Sequence, residues 1–336
     1  MNCSAERFRH IYVEEEIRSH PSVQKILALF PSAVIIPVRR YSDVFNRPKQ
    51  DWDMQYRTQN LMLANKHGSL VYPGSPVCHD FGSERFFYTA SVINCLYDCD
   101  YCWLKGMYIS ANLVLFINLE DFFAETEELL KNGPMYLSLS FESDLVPLEH
   151  LTGHIHAWNR FVVHHPDLTA EIRTKCGSVR LYETLERCDR MIFAFTLSPE
   201  TVITRHEHGT ASLAQRIKAV QAAMDHGFPV RICFDPMIHI PGWKEAYTAL
   251  IETLHASIPM DRVRDFSIGT YRQSDVYQRR MRRRFPDNAV VQYPYDTENG
   301  FCGYRRELRA DMEQTMKQVL LRYVSEEKIF LLEDNR

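Results

Sequence analysis

The residues most able to do chemistry in this sequence are three cysteines within eight positions, in CLYDCDYC at 95–102. Cys95, Cys99 and Cys102 would supply soft thiolate ligands, which suit zinc or an iron–sulfur cluster. A structural zinc ion takes four protein ligands, and the nearest further candidates, Cys78 and His79, lie sixteen or more residues upstream. A four-iron cluster held by only three cysteines keeps one iron open. The spacing favours this open 4Fe-4S cluster, with zinc as the alternative.

An open iron gives such a cluster a position for a cofactor. It would chelate the amino and carboxylate groups of S-adenosyl-L-methionine, and an electron from the cluster would cleave the sulfonium to give a 5′-deoxyadenosyl radical. A CxxxCxxC triplet that follows the first strand of a (β/α) array is the signature of that arrangement. We therefore expect a 4Fe-4S cluster and S-adenosyl-L-methionine as cofactors.

The elements that must position this triplet alternate along the chain from about residue 86. Six short apolar runs predict strands: Phe87–Asn94, Met135–Glu142, Leu168–Cys176, Met191–Ser198, Pro229–Ile238 and Val263–Tyr271. The amphipathic stretches between them predict helices: Leu119–Asn132, Val179–Arg187, Ser212–Gly227 and Trp243–Ile258. Strands that alternate with helices pair in parallel through crossover connections. The predicted fold class is α/β, a partial (β/α)6 TIM-like barrel with its active edge at the carboxyl ends of the strands.

Extensions flank the predicted barrel at both ends. Residues 1–82 are predicted to be an N-terminal extension, polar and irregular apart from a helix at Ser22–Leu29 and a strand at Ala33–Val38. Residues 83–285 are predicted to be the radical S-adenosylmethionine barrel. Residues 286–336 are predicted to be a C-terminal closing segment, with a short β-rich stretch and then a helix at Tyr304–Val324.

The composition is that of a globular protein with no membrane span. Of 336 residues, 45% are hydrophobic and 24% are charged, and no apolar run is long enough to cross a bilayer. The first residues, MNCSAERFRH, lack the apolar core of a signal peptide, and an odd total of nine cysteines does not favour a disulfide framework. We therefore expect a cytoplasmic protein. Because the net charge is −4, any nucleic-acid contact needs a local basic patch, for which RRMRRRF at 279–285 is the candidate.

From about Tyr56 to the C-terminus the chain resembles the spore photoproduct lyase family of the radical S-adenosylmethionine superfamily. YCWLKG at 101–106 resembles the family's YCYLQ, SDLVPLEHLT at 143–152 resembles SDIVGIEHLT, and RTKC at 173–176 resembles VTK. Further along, HEHGTAS at 206–212 is similar to FEPGTS, and DPMIHIPGWKEAY at 235–247 is similar to APIYxHEGWExGY. The resemblance implies a carbon–carbon lyase of DNA repair that acts on the methylene-bridged thymine dimer formed by ultraviolet light in spore DNA.

The resemblance also assigns roles to single residues. The metal ligands that it implies are Cys95, Cys99 and Cys102. Ser143 and Lys175 fall on family positions that contact S-adenosylmethionine, and Thr196 falls where the family has a serine. Tyr101 would line the adenosyl pocket, and Arg272 matches the arginine of the family's HRF motif, which makes it the substrate-binding candidate. Without the resemblance, Ser143 would be interpreted as a helix N-cap, and Lys175 and Thr196 as surface residues at strand ends.

The chain departs from the family at the positions linked to hydrogen return. The family has a cysteine two residues before the serine that is Ser143 here, in the motif CTSD, and it supplies the hydrogen atom that ends each repair cycle. This chain has Phe141 there, which carries no S–H bond. The family tyrosine that follows the third cluster cysteine is Trp103 here. The glycine-rich family segment WGRYGIGKY is replaced by NGFCGYRREL at 299–308.

Other cysteines are candidates for the missing hydrogen donor. Cys176 follows Lys175 at the end of the third predicted strand, although alternation along a strand places these two side chains on opposite sides. Cys302 lies in the divergent C-terminal segment, whereas Cys233 lies in mid-strand and is expected in the core. The predicted catalytic residues are therefore Tyr101, Cys176 and Cys302.

The leading hypothesis is a radical S-adenosylmethionine lyase that abstracts hydrogen from a thymine-dimer DNA lesion or a related substrate. Its expected partners are the DNA lesion and a reductant such as flavodoxin or ferredoxin. Two alternatives stay open. One keeps the radical chemistry on a different substrate, which the lost donor favours, and the other is a non-catalytic zinc protein that binds nucleic acid.

Overall fold

The computed structural model describes residues 7–75 and 78–331. Its strands are β1 (His10–Glu14), β2 (Val34–Val38), β3 (Leu61–Ala64), β4 (Val71–Pro73), β5 (Phe86–Thr89), β6 (Val92–Ile93), β7 (Asp98–Cys99), β8 (Leu113–Phe116), β9 (Met135–Ser138), β10 (Leu168–Thr174), β11 (Met191–Thr196), β12 (Glu207–His208), β13 (Val230–Met237), β14 (Asp265–Thr270), β15 (Arg272–Ser274), β16 (Asp296–Glu298), β17 (Phe301–Gly303) and β18 (Ile329–Leu331). Its helices are α1 (Pro21–Ala28), α2 (Ser42–Phe45), α3 (Trp52–Arg57), α4 (Leu104–Met107), α5 (Leu119–Leu130), α6 (Glu149–Thr152), α7 (His154–His164), α8 (Glu200–His206), α9 (Leu213–Asp225), α10 (Trp243–Ser257), α11 (Asp275–Arg284), α12 (Ala289–Gln292) and α13 (Arg306–Leu320). Within these described ranges, no helix combines the length and the apolar character needed to cross a membrane.

The main sheet has eight strands in the order β18–β14–β13–β11–β10–β9–β5–β4. Neighbours from β18 to β5 are parallel, and β4 at the edge is antiparallel to β5. Parallel neighbours need crossover connections, and most of these contain a helix here. Strands such as β11 and β14 are buried along their whole length, as expected when both faces of a parallel sheet are covered. The predicted α/β fold, a partial (β/α)6 TIM-like barrel, is confirmed, because the six predicted strands contain β5, β9, β10, β11, β13 and β14 in consecutive order.

A second sheet, in the order β2–β1–β3–β8–β6, takes three strands from the N-terminal extension and the strands β8 and β6 from beyond it. The prediction of an irregular extension was therefore wrong, although its helix and strand are present as α1 and β2. The sequence did not indicate this sheet because its short strands are completed by β8 from much later in the chain. β8 itself was missed, although its four residues LVLF are all buried. The domain boundary at residue 82 stays a prediction, because this sheet takes strands from both sides of that residue. Residues 1–6 of the extension lie outside the described residues.

The first predicted barrel strand, Phe87–Asn94, is in fact two strands in two sheets. β5 pairs with β9 in the main sheet, whereas β6 pairs with β8 in the N-terminal sheet. The chain changes sheet at Ala90 and Ser91, which are both buried. Because residues 90–93 are buried throughout and Ser91 is the one polar residue among them, no exposed position marks the change in the sequence. The cysteine triplet consequently follows β6 and does not follow the barrel strand directly.

The helix predicted at Val179–Arg187 was also wrong, since only a 3-10 turn forms there, at Tyr182–Thr184. Tyr182 is fully buried, with its ring 4.9 Å from that of Phe193 between centroids. The side chain of Asn159 bonds both the N–H and the carbonyl of Glu186, at 2.8 Å each. The two bonds from Asn159 pair the backbone N–H and carbonyl of Glu186, which therefore need no partner within a helix.

The C-terminal part has the predicted order of a β-rich stretch and then a helix. β15, β17 and β16 form a three-stranded antiparallel sheet, and α13 packs against α10 and β14. The sequence interpretation missed β18, which pairs in parallel with β14 and extends the main sheet. The boundary at residue 285 stays a prediction, since β17 pairs with β15 from before it.

Candidate active site

A cavity of about 600 Å³ opens at the carboxyl ends of the strands of the main sheet. Such strand ends are where barrel proteins place their reactive groups. The predicted site residues that line this cavity are Cys95, Cys99, Cys102, Tyr101, Ser143, Lys175, Thr196 and Arg272. The predicted hydrogen donors Cys176 and Cys302 do not line it.

The loop that carries the three cysteines is held at several points. β7, which contains Cys99, pairs with β12, the short strand after α8. Lys105 Nζ lies 2.5 Å from Asp98 Oδ1, and the Lys105 side chain is buried. His206 Nδ1 lies 2.8 Å from Asp100 Oδ2. The triplet is therefore a fixed loop with its thiols on the cavity wall.

Burial has the largest effect on the pKa values of the three cysteine thiols. It raises the pKa of Cys95 to about 12, and it raises the pKa of Cys99 and of Cys102. The Tyr97 backbone N–H opposes it by donating to Cys95 Sγ at 3.4 Å. The charge of Lys175 opposes it at Cys99 and Cys102. Because metal ligands must be deprotonated, a bound cationic centre fits this set of buried sulfur donors.

The three triplet sulfurs do not form a ready-made site for a single ion. Three thiolates on one zinc ion, at about 2.3 Å each, lie about 3.8 Å from one another. The three triplet sulfurs are not all within 4.8 Å of one another. In the part of the chain that the structure describes, the group whose potential metal-ligating atoms all lie within that distance is Glu14, Glu16 and His67. That group is a structural network, because Glu14 accepts the backbone N–H of Tyr41 at 2.8 Å.

Lys175 and Tyr101 face each other at the end of β10. Lys175 Nζ lies 5.5 Å from the centre of the Tyr101 ring. The Tyr101 hydroxyl donates to Glu207, which also pairs with the buried Arg216. Burial lowers the pKa of Lys175, but the charges of Cys99 and Glu207 outweigh it, so the pKa is raised. Lys175 is therefore a firmly charged cation next to the cysteine loop.

Ser143 lies next to Asp144, which is hydrogen-bonded to residues at the end of β10. Ser143 Oγ is buried and has no hydrogen-bond partner in the described residues, although the residue lines the cavity. Asp144 accepts the Lys175 backbone N–H at 2.8 Å and the Thr174 hydroxyl at 2.9 Å. A buried unpaired hydroxyl is costly unless a ligand satisfies it, so Ser143 fits a cofactor-binding position. Sequence reasoning missed Asp144, although it directly follows Ser143.

The inner part of the cavity carries a network of buried charges. Arg272 donates to both Asp235 oxygens, from Nη1 at 2.8 Å and from Nη2 at 3.2 Å. Arg173 contacts Glu171 through Nε at 3.4 Å and Asp235 through Nη1 at 3.7 Å. Burial raises the pKa of Asp235, but the Arg272 guanidinium outweighs it and keeps the pKa well below its usual range. Arg272 lines the cavity as predicted, and its substrate-binding role stays a prediction.

The remaining thiols differ in their access to the cavity. Cys176 is buried close to Tyr97 and Asp144. Cys302 Sγ lies 3.3 Å from Thr297 Oγ1, within the C-terminal three-stranded sheet. Of the cysteines in the described residues, Cys78 is the one besides the triplet that lines the cavity. The sequence considered Cys78 only as a distant zinc ligand, because its approach to the cavity depends on tertiary structure.

Aromatic rings form one wall of the cavity. Phe141 stacks on Tyr88 with ring centroids 4.0 Å apart, and Trp103 lies 5.4 Å from Phe141. Tyr277, at the start of α11, stacks on Trp103 at 6.4 Å. All four residues line the cavity. We call Tyr88, Phe141, Trp103 and Tyr277 the aromatic wall.

Part of the arginine-rich segment serves the cysteine loop. Arg280 Nη1 donates to the Gly106 carbonyl at 3.3 Å, and Arg284 Nη1 donates to the Tyr108 carbonyl at 3.1 Å. These carbonyls belong to the end of α4, which directly follows the triplet. A Cβ on Gly106 would lie 2.5 Å from Tyr277 Cβ, so the two helices touch at this glycine. α11 therefore holds the segment after the third cysteine.

The other arginines of α11 point away from that contact. Arg282 Nη2 donates to the Tyr293 carbonyl at 2.7 Å. Arg279 is exposed and pairs with Asp275 at 2.7 Å, and Arg283 is exposed. The phosphate-binding patch considered from the sequence is thus reduced to the exposed face of α11.

A sequence model of the family described as spore photoproduct lyase matches residues 87–329 of this chain. The chain belongs to the spore photoproduct lyase family. Among curated proteins of this family, the spore photoproduct lyase of Bacillus subtilis is 23% identical over 299 residues, which cover 83% of each chain. The spore photoproduct lyase of Clostridium acetobutylicum is 22% identical over 304 residues, or 87% of this chain and 85% of that one. The family predicted from the motifs is confirmed.

Solved structures of the family have the same fold. A spore photoproduct lyase complexed with dinucleoside spore photoproduct superposes with a TM-score of 0.83 at 18% identity, over 97% of this chain and 98% of that one. A mutant with bound AdoMet and dinucleoside spore photoproduct gives a TM-score of 0.82 at 19% identity, with the same coverage. At these identities the likeness establishes the fold, which includes the N-terminal sheet as well as the barrel.

Proposed function

We propose that this protein is a radical S-adenosylmethionine lyase that acts on a thymine-dimer DNA lesion or a related nucleic-acid lesion. The observation that carries the proposal is the shared cavity: the three cysteines, Ser143 and Lys175 line one space in a chain of the spore photoproduct lyase family. The sequence separates these residues by up to 80 positions, and they meet only at the strand ends.

The roles of the residues follow from their surroundings. Cys95, Cys99 and Cys102 would hold a 4Fe-4S cluster through three of its irons. With S-adenosylmethionine bound, this cluster supplies the electron that releases a 5′-deoxyadenosyl radical. The charged Lys175 and the unpaired hydroxyl of Ser143 suit the carboxylate and other polar groups of the cofactor. Thr196, also on the cavity wall, offers a further hydroxyl, and the Tyr101 ring closes the cavity beside Lys175.

The aromatic wall of the cavity suits a nucleic-acid base. Flat side chains such as those of the aromatic wall stack on the faces of bases, at about 1–3 kcal/mol per base. The related protein in the solved complex binds a dinucleoside spore photoproduct, which has two pyrimidine rings. We propose the same class of ligand for this cavity, with Arg272 and its neighbours contacting the polar edges of the base.

A second candidate keeps the radical chemistry on a different substrate. It is favoured by one observation: Phe141, at the position of the family's hydrogen-donor cysteine, is packed against Tyr88 and cannot donate hydrogen from sulfur. A reaction that consumes S-adenosylmethionine, without hydrogen return from this position, would be compatible with that packing. The zinc alternative is less favoured, since the chain belongs to the spore photoproduct lyase family, of which one solved structure has bound AdoMet.

The proposed partners are a DNA lesion and a small reductant such as flavodoxin or ferredoxin, in the cytoplasm. DNA contact is supported by the exposed arginines of α11, Arg279 and Arg283, on the helix that also carries the cavity residue Tyr277. A reducing compartment is supported by the eight cysteines of the described residues, which are all free thiols. We propose a division into 1–82, which carries three strands of the N-terminal sheet, 83–285, which carries most of the barrel, and 286–336, the closing segment.

The deciding experiment is an anaerobic assay. The protein is purified without oxygen, reconstituted with iron and sulfide, reduced with dithionite and mixed with S-adenosylmethionine. We expect a brown protein that forms 5′-deoxyadenosine and that converts the dinucleoside spore photoproduct to thymidine. Formation of 5′-deoxyadenosine without repair would favour the second candidate, and a colourless protein that retains zinc would contradict both.

A further inference from the structure

His79 is a cavity residue to which the reaction, as described so far, gives no role. The side chain is 7% exposed and its residue lines the cavity beside Cys78. Its Nε2 atom is buried and has no hydrogen-bond partner in the described residues. A buried polar atom without a partner costs free energy, so this atom indicates a missing ligand.

The protonation of the His79 ring is fixed by its surroundings. Burial lowers the pKa of His79 to about 4, against the opposing charge of Asp235. The ring is therefore neutral at physiological pH, with one N–H and one acceptor nitrogen. Its other polar contact is a hydrogen bond to the Ile268 backbone, which places the proton on Nδ1. Nε2 is consequently a hydrogen-bond acceptor.

The ring is also fixed in orientation. It stacks on Phe81 with centroids 5.3 Å apart and planes inclined by 25°. Together with the bond to Ile268, which lies on the buried strand β14, this contact restrains the ring from both a face and an edge. An acceptor held in this way can be selective, because it cannot turn to suit a different ligand.

The charges that act on His79 are a carboxylate and two guanidinium groups. After burial, the groups with most effect on the ring are Asp235, Arg272 and Arg173, in that order. Asp235 is already paired with Arg272. Arg173 uses Nε and Nη1 in its two ion pairs, which do not involve its Nη2 donors. A neutral acceptor here has guanidinium donors as neighbours.

A buried acceptor with guanidinium groups near it suits the edge of an imide. In a thymine-type ring the imide presents one N–H between two carbonyl oxygens, so it requires one acceptor with donors beside it. The aromatic wall of the same cavity offers flat surfaces for the face of such a ring. A cytosine-type ring has no N–H at that position and would leave His79 Nε2 unpaired.

We propose that His79 Nε2 accepts a hydrogen bond from the imide N–H of a thymine-type base and selects substrates that carry it. This inference rests on the proposed function, since it assigns the substrate side of the same cavity. A site built to bond a substrate N–H rejects an analogue without it, because the buried acceptor is then left unpaired. His79 is a specificity residue in this view and has no part in radical formation.

The test measures binding of the dinucleoside spore photoproduct to the anaerobic, reconstituted protein with S-adenosylmethionine present. Two analogues, each methylated at the imide nitrogen of one ring, are compared with the parent compound. We expect at least one analogue to bind wild-type protein about tenfold or more weakly. His79→Ala should bind the parent about tenfold more weakly and should not discriminate against that analogue, since the alanine leaves room for the methyl group. The control His226→Ala, at an exposed histidine outside the cavity, should behave as wild type.

The outcomes separate this inference from the proposed function. If wild type binds the parent and both analogues within about threefold of one another, the inference is overturned while the proposed function stands. If wild type does not bind the parent compound at all, the inference fails together with the thymine-dimer form of the proposed function, whereas cleavage of S-adenosylmethionine would still show the radical chemistry. Because the analogue series on wild type is decisive by itself, a poorly folded His79→Ala protein, detected by iron content and circular dichroism, would not remove the test.

Discussion

Phe141 stacks face to face on Tyr88, with ring centroids 4.0 Å apart. Phe141 occupies the position at which the family resemblance expects the hydrogen-donor cysteine, and Trp103, at the second departing position, lies 5.4 Å from it. The two departures from the family are therefore in contact, and together they replace donor groups by a continuous aromatic surface. A thiol donor of this protein must therefore reach the cavity from elsewhere.

The first prediction concerns the cluster. Cys95→Ala should remain folded but lose most of its iron, because two thiolates do not hold a four-iron cluster firmly. Iron and acid-labile sulfide are measured after anaerobic reconstitution, together with circular dichroism. The matched control is Cys302→Ala, a buried cysteine away from the cavity, which should keep the wild-type iron content. A Cys95→Ala protein with full iron and wild-type cofactor cleavage would refute the assignment.

The second prediction concerns cofactor binding. Lys175→Ala should weaken S-adenosylmethionine binding by about tenfold or more, because a charge-assisted hydrogen bond contributes about 1.5–3 kcal/mol. Its iron content should not change, since no thiolate is removed. Anaerobic equilibrium titration measures the affinity, with Lys218→Ala on the exposed face of α9 as the control. Equal affinities in the two variants would return Lys175 to a structural role.

The third prediction revises the hydrogen donor that the sequence suggested. Because Cys78 lines the cavity and Cys176 and Cys302 do not, we expect Cys78 to return hydrogen to the substrate radical. Its S–H bond would break as the substrate C–H bond forms, leaving a thiyl radical. In heavy water the wild-type product should carry solvent deuterium, because thiols exchange with solvent. Cys78→Ala should lose this label, whereas Cys176→Ala and Cys302→Ala should keep it.

Two results would contradict the third prediction. Wild-type product without solvent deuterium would exclude a thiol donor and indicate direct return from 5′-deoxyadenosine. Loss of the label in Cys176→Ala or Cys302→Ala alone would restore the interpretation from the sequence.

The fourth prediction concerns the arginines of α11. Replacing both Arg280 and Arg284 by alanine should lower the free energy of unfolding by about 1–3 kcal/mol, because the carbonyls at the end of α4 lose charged donors. Replacing both Arg279 and Arg283, which are exposed, should change it by less than about 0.5 kcal/mol. Urea unfolding of the two double variants measures the difference. Equal effects would mean that the helix contact with the cysteine loop does not depend on these bonds.

The fifth prediction uses a buried histidine outside the cavity. Burial lowers the pKa of His154 to about 4, and its Nδ1 lies 3.0 Å from Ser91 Oγ. In the unfolded chain this histidine titrates near its ordinary value of 6.5. Between these values the unfolded chain binds a proton that the folded protein does not, so the free energy of unfolding falls as the pH falls from about 6.5 to about 4.

His154→Gln removes that titration and can keep a hydrogen bond to Ser91. Relative to its own value at about pH 7, the variant should lose about 2 kcal/mol less than wild type on acidification to about pH 4.5. Urea unfolding at the two pH values measures this difference, with the exposed His226→Gln as the control. Parallel losses in wild type and His154→Gln would show that His154 does not titrate in this way.

The sequence by itself determined the cysteine triplet, the family and the order of the barrel strands. These features are local, because thiol spacing is set by a few residues and a buried strand is a continuous apolar run such as MIFAFT in β11. The sequence also indicated the substitutions at Phe141 and Trp103, since they occur inside motifs that fix their alignment.

Tertiary structure alone decided which side chains meet. Residues 90–93 are all apolar or small, so the sequence does not show where the chain passes from β5 in one sheet to β6 in the other. The partner of β6 is β8, which also pairs with β3 from a much earlier part of the chain. The cavity brings Cys78 and His79 next to Arg272, nearly 200 positions later in the chain. Such contacts depend on how parallel strands are ordered and on the segments that cover their carboxyl ends, and neither is encoded in residue spacing.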